Sequence, residues 1–418
     1  RAASDEYRNT SATSDLIARL DEIYNETATG TDITNRTWFP LFVDMFDRWE
    51  ELSGNTYVYE AADDAANFPS SPGSVGVRPD VRIAGRNIDG NSGILAFNYF
   101  PNNGDMVIDT NDSFYDGTAN NSRRLRNVLS HEHGHGLAFN HVSPTDQTKL
   151  MEPIASTAFD GPQYDDILAI QRLYGDANVD NDTTATATDL GLIDNISVTV
   201  GADAAGLIDD DGDGAIDQPV DPSQVAFVSI DGTSDTDVFR FTAVPGASAN
   251  LSLAPVGPTY LEGPQGGGAS SFNAANQSDL TLELIDTDGA TVLAVANTGG
   301  LGESEVIANQ ALVTGGVYYI RATGAQDLVQ SYQLDVVVTG GTGDPGGPDP
   351  GTTSLTSDTL LGSSGQDTLV GAGAADLLNG GGDADVLKGL GGDDLLFGGG
   401  GNDELYGGDG HDVLSGQG

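Results

Sequence analysis

Apolar and polar positions divide the chain into regions of different period. Near the start, Leu16, Ile17, Leu20 and Ile23 recur at helical spacing in SDLIARLDEIY, with Ser14 placed to cap the first turn. A second helix is predicted over 40–52, with Pro in its first turn and Gly54 just past its end. Strand-like runs follow at 81–84 and 94–100. The later stretch SRRLRNVLS returns to helical spacing, with Leu125, Val128 and Leu129 on its buried side. From about residue 189 short β runs dominate, among them 238–242, 280–285 and 317–321, broken by Gly, Pro, Asn and Asp. That is the pattern of an all-β sandwich. From Gly362 a strict nine-residue period takes over. Asp recurs as Asp367, Asp376, Asp385, Asp394, Asp403 and Asp412, and Leu as Leu369, Leu378, Leu387, Leu396, Leu405 and Leu414.

These shifts predict a multidomain chain: a mixed helix and strand domain over 1–178, a linker over 179–188, a β-sandwich over 189–338, a Gly/Pro linker over 339–352 and a repeat domain over 353–418. A length of 418 residues exceeds what one hydrophobic core serves. Sixteen basic residues against 63 acidic ones leave a net charge of -47. Such a surface repels nucleic acid and anionic lipid, so neither is an expected partner. Some acids solvate the surface, and others, clustered beside Gly at fixed spacing, suit cation binding. The absence of cysteine excludes disulfides, thiolate zinc sites and cysteine nucleophiles. Stabilisation then falls to packing and bound metal, and calcium is the natural substitute outside cells. No apolar run reaches the ~18 residues of a membrane span. The chain opens at Arg1 without an apolar targeting segment, so any such segment is expected to have been removed, and its stop within a repeat at 416–418 raises the expectation of a fragment.

The densest chemistry lies in HEHGHGLAFNH, residues 131–141. His131 and His135 are four apart, so on a helix both imidazoles project from one face toward one ion. Glu132 can reach a water on that ion without ligating it. His141 lies beyond the helix and returns after a turn as a third ligand. Three neutral nitrogens leave zinc's fourth position open, the condition for catalysis. A His-rich polar face is the bland alternative, but four of the chain's five histidines fall in these eleven residues. His133 points to the other side of the helix and is expected at the surface or behind the ligands; His411 is expected in solvent.

This segment resembles the metzincin peptidases, and within them the matrixin (matrix-metalloproteinase-like) family. His131, Glu132, His135 and His141 match H-E-x-x-H-x-x-G-x-x-H. Met151 in KLMEP looks like the Met-turn beneath the zinc, and YDDILAIQRLYG resembles the family's C-terminal helix. The resemblance implies an α+β catalytic domain, a twisted mixed sheet plus long helices, with Ile94–Tyr99 as the edge to which substrate adds as a strand. It also implies a structural calcium held by the carboxylates of Asp89, Asp109 and Asp112 and the carbonyls of Gly90, Ser92 and Ile94. Three departures stand out. Ala138 replaces the family's usual Gly, so the turn toward His141 is expected to be strained or reshaped. Phe97 and Val107 replace histidines of a second zinc site, and no cysteine-switch propeptide can operate. Serralysins are the nearest rival, but Pro153 stands where their Met-turn carries Tyr.

The C-terminal period resembles the RTX (hemolysin-type) repeat, a calcium-binding parallel β-roll. Gly makes its tight turns, Asp and turn carbonyls bind calcium, and Leu fills the narrow core. A flexible linker has no reason to hold Asp and Leu in phase. In the middle region DDDGDGAID offers Asp209, Asp211, Asp213 and Asp217 as a calcium loop, with Gly214 at its sharp turn. Its surroundings resemble the bacterial pre-peptidase C-terminal sandwich. The resulting expectation is a secreted, monomeric zinc endopeptidase acting on protein or peptide substrates, stabilised by several calcium ions, with Glu132 as general base for a zinc-activated water. A calcium-dependent adhesion protein with an inactive peptidase-like domain is the alternative.

Overall fold

The computed structural model describes residues 13–68, 73–176, 178–193, 197–201, 227–340, 359–361, 368–370, 376–381, 384–391, 395–409 and 413–416. The chain is multidomain, with few helices, many strands and parallel sheets at its C-terminal end.

The first region packs α1 (Leu16–Ile23), α2 (Phe39–Glu51), α3 (Ala119–Gly136) and α4 (Tyr164–Tyr174) around a three-stranded sheet. In α1 only Leu16 and Leu20 are buried; Ile17 is 44% exposed, so the apolar face is narrower than its sequence suggested. Successive helical residues lie about 100° apart, and the core touches one stripe. Asp15 holds the cap position without a side-chain bond, and the Ser14 hydroxyl one residue earlier accepts from the first helical N–H, that of Leu16, at 3.4 Å. The same hydroxyl accepts from the Gly85 N–H at 3.0 Å and ties the helix to the sheet. Helix α2 has Pro40 in its first turn and buries Leu41, Phe42, Met45 and Trp49.

The sheet runs β1 (Ile83–Arg86), β3 (Met106–Asp109), β2 (Ala96–Asn98). β1 is parallel to β3 and β2 antiparallel, so the sheet is mixed and β2 is an outer strand. Every residue of the central β3 is buried. A short strand, β4 (Val142–Ser143), follows α3.

Two antiparallel-rich sheets form the sandwich. One contains β5 (Thr188–Leu192), β8 (Thr236–Ala243), β12 (Leu280–Ile285), β13 (Val292–Ala296) and β15 (Gly316–Gly324). The other contains β6 (Ser197–Gly201), β7 (Ser229–Ile230), β9 (Ala247–Pro255), β14 (Glu305–Leu312) and β16 (Gln330–Thr339). Alternate residues such as Phe239, Phe241, Leu251, Leu253, Ile320 and Leu334 face inward and close a separate core. A hairpin of β10 (Thr259–Pro264) and β11 (Ser270–Asn273) leaves this sandwich and pairs with β4. The junction is packed: Phe227, Val256, Ala274 and Val329 belong to the same apolar cluster as Trp49 and Leu129. The Tyr164 hydroxyl donates to the Val256 carbonyl at 3.1 Å, and Gln171 Nε2 to the Phe227 carbonyl at 2.9 Å.

In the repeat region, Thr359–Leu361, Leu377–Asn379, Leu395–Phe397 and Val413–Ser415 form one parallel sheet; Thr368–Val370, Val386–Gly391 and Glu404–Asp409 form another. Register aligns Leu360, Leu378, Leu396 and Leu414 in one ladder and Leu369, Leu387 and Leu405 in the other, so each coil consumes two nonapeptides. Leu378, Leu387 and Leu396 are fully buried between the sheets.

Candidate metal centre

Helix α3 carries His131, Glu132 and His135, anchored from below by Leu125, Val128 and Leu129. The helix ends in a tight reversal, in which the Leu137 N–H donates to the His133 carbonyl and the Phe139 N–H to the Gly134 carbonyl, each at 2.9 Å. Ala138 takes φ +84, so the expected strain is present. A side chain in left-handed backbone costs about 1–2 kcal/mol. The reversal returns His141 to the other two rings. His141 Nε2 lies 3.2 Å from His131 Nε2 and 3.1 Å from His135 Nε2.

Two of the rings are oriented through their second nitrogens. His131 Nδ1 donates to the Leu150 carbonyl at 2.6 Å and His135 Nδ1 to the Phe139 carbonyl at 2.7 Å. A carbonyl only accepts, so each Nδ1 carries the proton and each Nε2 presents a bare lone pair. Burial, then the neighbouring His135, pushes His131 down to about 3. Burial and His135 push His141 to about 4, and burial lowers His135 as well. All three are therefore neutral near pH 7, the form that ligates a metal. Nitrogens 2.0–2.1 Å from a tetrahedral zinc stand about 3.3 Å apart, so the donor set suits that ion. Among the described residues this is the one group of three or more His, Cys, Asp or Glu whose ligand atoms come within 4.8 Å of one another.

Glu132 is nearly buried beside the triad. The Asn98 N–H of outer strand β2 donates to its carboxylate, while Oε2 is buried without a hydrogen-bond partner among the described residues. Burial raises its pKa to about 8. Met151 lies 2% exposed beneath α3. A Cβ on Gly134 would sit 2.5 Å from the Met151 sulfur, so the missing side chain lets helix and turn approach. The Val142 N–H donates to the Met151 carbonyl at 3.0 Å, joining that turn to the segment after His141.

Of the two placements expected for His133, at the surface or behind the ligands, the structure excludes the surface. It is 2% exposed, bonds the Tyr57 hydroxyl through Nε2 at 2.8 Å and packs edge-on against Phe46 and Trp49. Burial lowers its pKa to about 3, so it is a neutral core histidine. The side of α3 away from the metal faces α2, and sequence spacing alone does not reveal that helix.

Of the calcium candidates in this region, Asp109 Oδ2 accepts from the Asp89 and Gly90 N–H groups, Asp112 Oδ2 from Ser92 and Asp89 Oδ1 from Ile94. The six named residues thus share one loop, with Gly90 and Ser92 at positive φ. Asp209, Asp211, Asp213 and Asp217 lie outside the described residues, as do Asp367, Asp394, Asp412 and His411. Asp376 and Asp385 are buried in the roll. Asp403 accepts from the Asp385 N–H at 3.0 Å through Oδ1 and keeps a buried Oδ2 without a partner among the described residues. A Cβ on Gly398 would lie 2.4 Å from that oxygen, so glycine makes the carboxylate's cradle.

Sequence reasoning missed the carbonyls of Leu150 and Phe139, the Asn98 N–H, Phe100 with its ring 5.8 Å from His135, and Gln265 beside His141. The Phe139 carbonyl follows from the helix reversal. Gln265 arrives from another domain and carries no local signal.

Comparison with known proteins agrees with this layout. The matrixin family matches residues 30–175, and the RTX calcium-binding nonapeptide repeat matches 352–387 and 380–414. The hatching enzyme of Paracentrotus lividus is 30% identical over 154 residues, which are 34% of this chain and 23% of that protein. The chain therefore spans about a quarter of that relative's length. Among solved structures, the pre-peptidase C-terminal domain of a Bacillus anthracis collagenase matches at 16% identity and a TM-score of 0.20, covering 36% of this chain and 93% of that one. The catalytic unit of a GH87 alpha-1,3-glucanase from Streptomyces thermodiastaticus matches at 10% identity and a TM-score of 0.17, covering 53% and 51%. Superpositions this loose carry no argument about chemistry. The matrixin domain implies zinc and the repeats imply calcium: the chain carries a matrixin-type peptidase domain over residues 30–175 and RTX calcium-binding repeats toward its C-terminal end.

Proposed function

We propose that the chain is a secreted zinc endopeptidase of the metzincin type that hydrolyses protein substrates and is stabilised by calcium. The observation that carries this is the convergence of three Nε2 atoms, those of His131 and His135 each within 3.2 Å of that of His141, with the unpartnered Oε2 of Glu132 buried alongside. His131, His135 and His141 would hold the zinc. Bound there, zinc supplies a Lewis acid that polarises a carbonyl and lowers the pKa of a coordinated water. Glu132 would be the general base: a cation held by the three histidines would favour its ionised form against burial, and its free Oε2 would then accept a proton from the attacking water and return it to the departing amine. The Asn98 backbone N–H beside the carboxylate favours its ionised form. Substrate runs beside β2, where an extended peptide adds to the outer edge of the sheet. The exposed ring of Phe100, next to His135, offers it an apolar contact. Met151 shapes the floor without taking part in the chemistry.

Casein cleavage by the wild type and by Glu132→Ala, with zinc and calcium present, tests the reading. The expected loss is on the order of 10²–10⁴-fold, the usual worth of a general base. Equal, negligible turnover in both overturns it and favours the adhesion alternative.

A further inference from the structure

The part of the sandwich nearest the histidines is the tip of the β10–β11 hairpin. Gly263 pairs with Ser143 and Pro264 with Val142, directly after His141. The Gln265 N–H donates to the His141 carbonyl at 3.2 Å, and the Gln265 side chain lies beside the His141 ring, where it favours the charged imidazole. The tip is a tight turn: the Gly267 N–H donates to the Pro264 carbonyl at 2.9 Å, and Gly266 has φ +75. Away from the tip the hairpin is anchored, since Tyr260 and Phe272 pack on each other and against the first core.

The three rings differ in their supports. His131 and His135 stand on a long helix, and carbonyls of their own domain orient both. His141 stands past the helix end, before a strand of two residues that a partner strand must hold. The group beside its ring is the Gln265 side chain, and its backbone carbonyl accepts from the Gln265 N–H. We propose that the sandwich hairpin is a positioning element of the metal centre, holding His141 in ligating geometry through β4 pairing and Gln265, so that zinc affinity depends on the second domain. This rests on reading the triad as a zinc site. Gln265 is a positioning residue, acting through His141 and not on substrate.

The test measures zinc affinity of the full chain in calcium by competition with a chromophoric chelator, alongside the melting temperature of the zinc-free chain. Gln265→Ala keeps the N–H and removes the side chain. Gln265→Pro removes both, and the first central position of such a turn accepts proline. A third variant replaces 263–269 with Asn-Gly, closing the hairpin directly between Glu262 and Ser270. Outer partners of ligating histidines typically contribute 10–100-fold to metal affinity. Gln265→Ala is expected to lose roughly tenfold, and Gln265→Pro and the shortened hairpin up to about 100-fold, at an unchanged melting temperature. Saturating zinc should restore casein turnover. Wild-type zinc affinity in Gln265→Ala and in either folded loop variant overturns the proposal. A wild type that binds zinc through His141 but cleaves no casein overturns the peptidase reading and leaves this one standing.

Discussion

The metal centre on α3 and the C-terminal roll both gather metal-binding side chains, but they are supported in opposite ways. Around the histidines, Trp49, Leu129 and Met151 belong to a broad apolar core, and protein carbonyls orient the rings. Two of the three rings are thus held by protein contacts. In the roll, the fully buried apolar side chains among the described residues are Leu378, Leu387 and Leu396. A fully buried leucine is worth ~1.5–3 kcal/mol, about what ordering one or two residues costs. One leucine per nonapeptide cannot order nine residues, and the paired carboxylates beside glycine turns add repulsion unless a cation joins them. On the proposed function, zinc would add chemistry to a site that protein contacts already hold, whereas calcium would complete a fold.

Calcium removal is the sharpest way to break this contrast. In excess calcium chelator the roll should unfold, read as lost β signal in circular dichroism and rapid proteolysis of 353–418. The environment of Trp38 and Trp49, read by near-ultraviolet circular dichroism, should persist. Joint loss of both signals would put an indispensable calcium in the Asp89–Asp112 loop and erase the distinction.

A smaller effect tests the prebuilt site. Gly134→Ala drives a Cβ against the Met151 sulfur, and overpacking of this kind costs about 1–3 kcal/mol. Denaturant unfolding of the zinc-free chain should show that loss. An unchanged midpoint would mean the helix and Met-turn are not tightly packed without metal. The smallest effect is Ala138→Gly, which relieves the positive φ and should stabilise the chain by about 1 kcal/mol, a rise of a few degrees in melting temperature. No gain would show that the reversal holds Ala138 without strain.

What was legible in the sequence follows from the range of each signal. His131, Glu132 and His135 share one helix, and the spacing of Leu125, Val128 and Leu129 orients it, so their convergence could be read locally. The nonapeptide phase likewise announced a Leu core and recurring Asp, because each coil contacts only its neighbours. Ile17 was misplaced and the burial of His133 left open for a common reason: which side of a helix is covered depends on α2 and the sheet, whose approach no local pattern encodes.

By itself, the sequence determined the spacing of donors, the bare-nitrogen chemistry of histidine, the carboxylate at position 132 and the period of the repeats, all properties of residues close along the chain. Only tertiary structure decided that the Leu150 carbonyl orients His131, that strand β2 brings Asn98 beside Glu132 and that a hairpin from the sandwich reaches His141. Those contacts join residues far apart in sequence, and packing of whole elements brings them together.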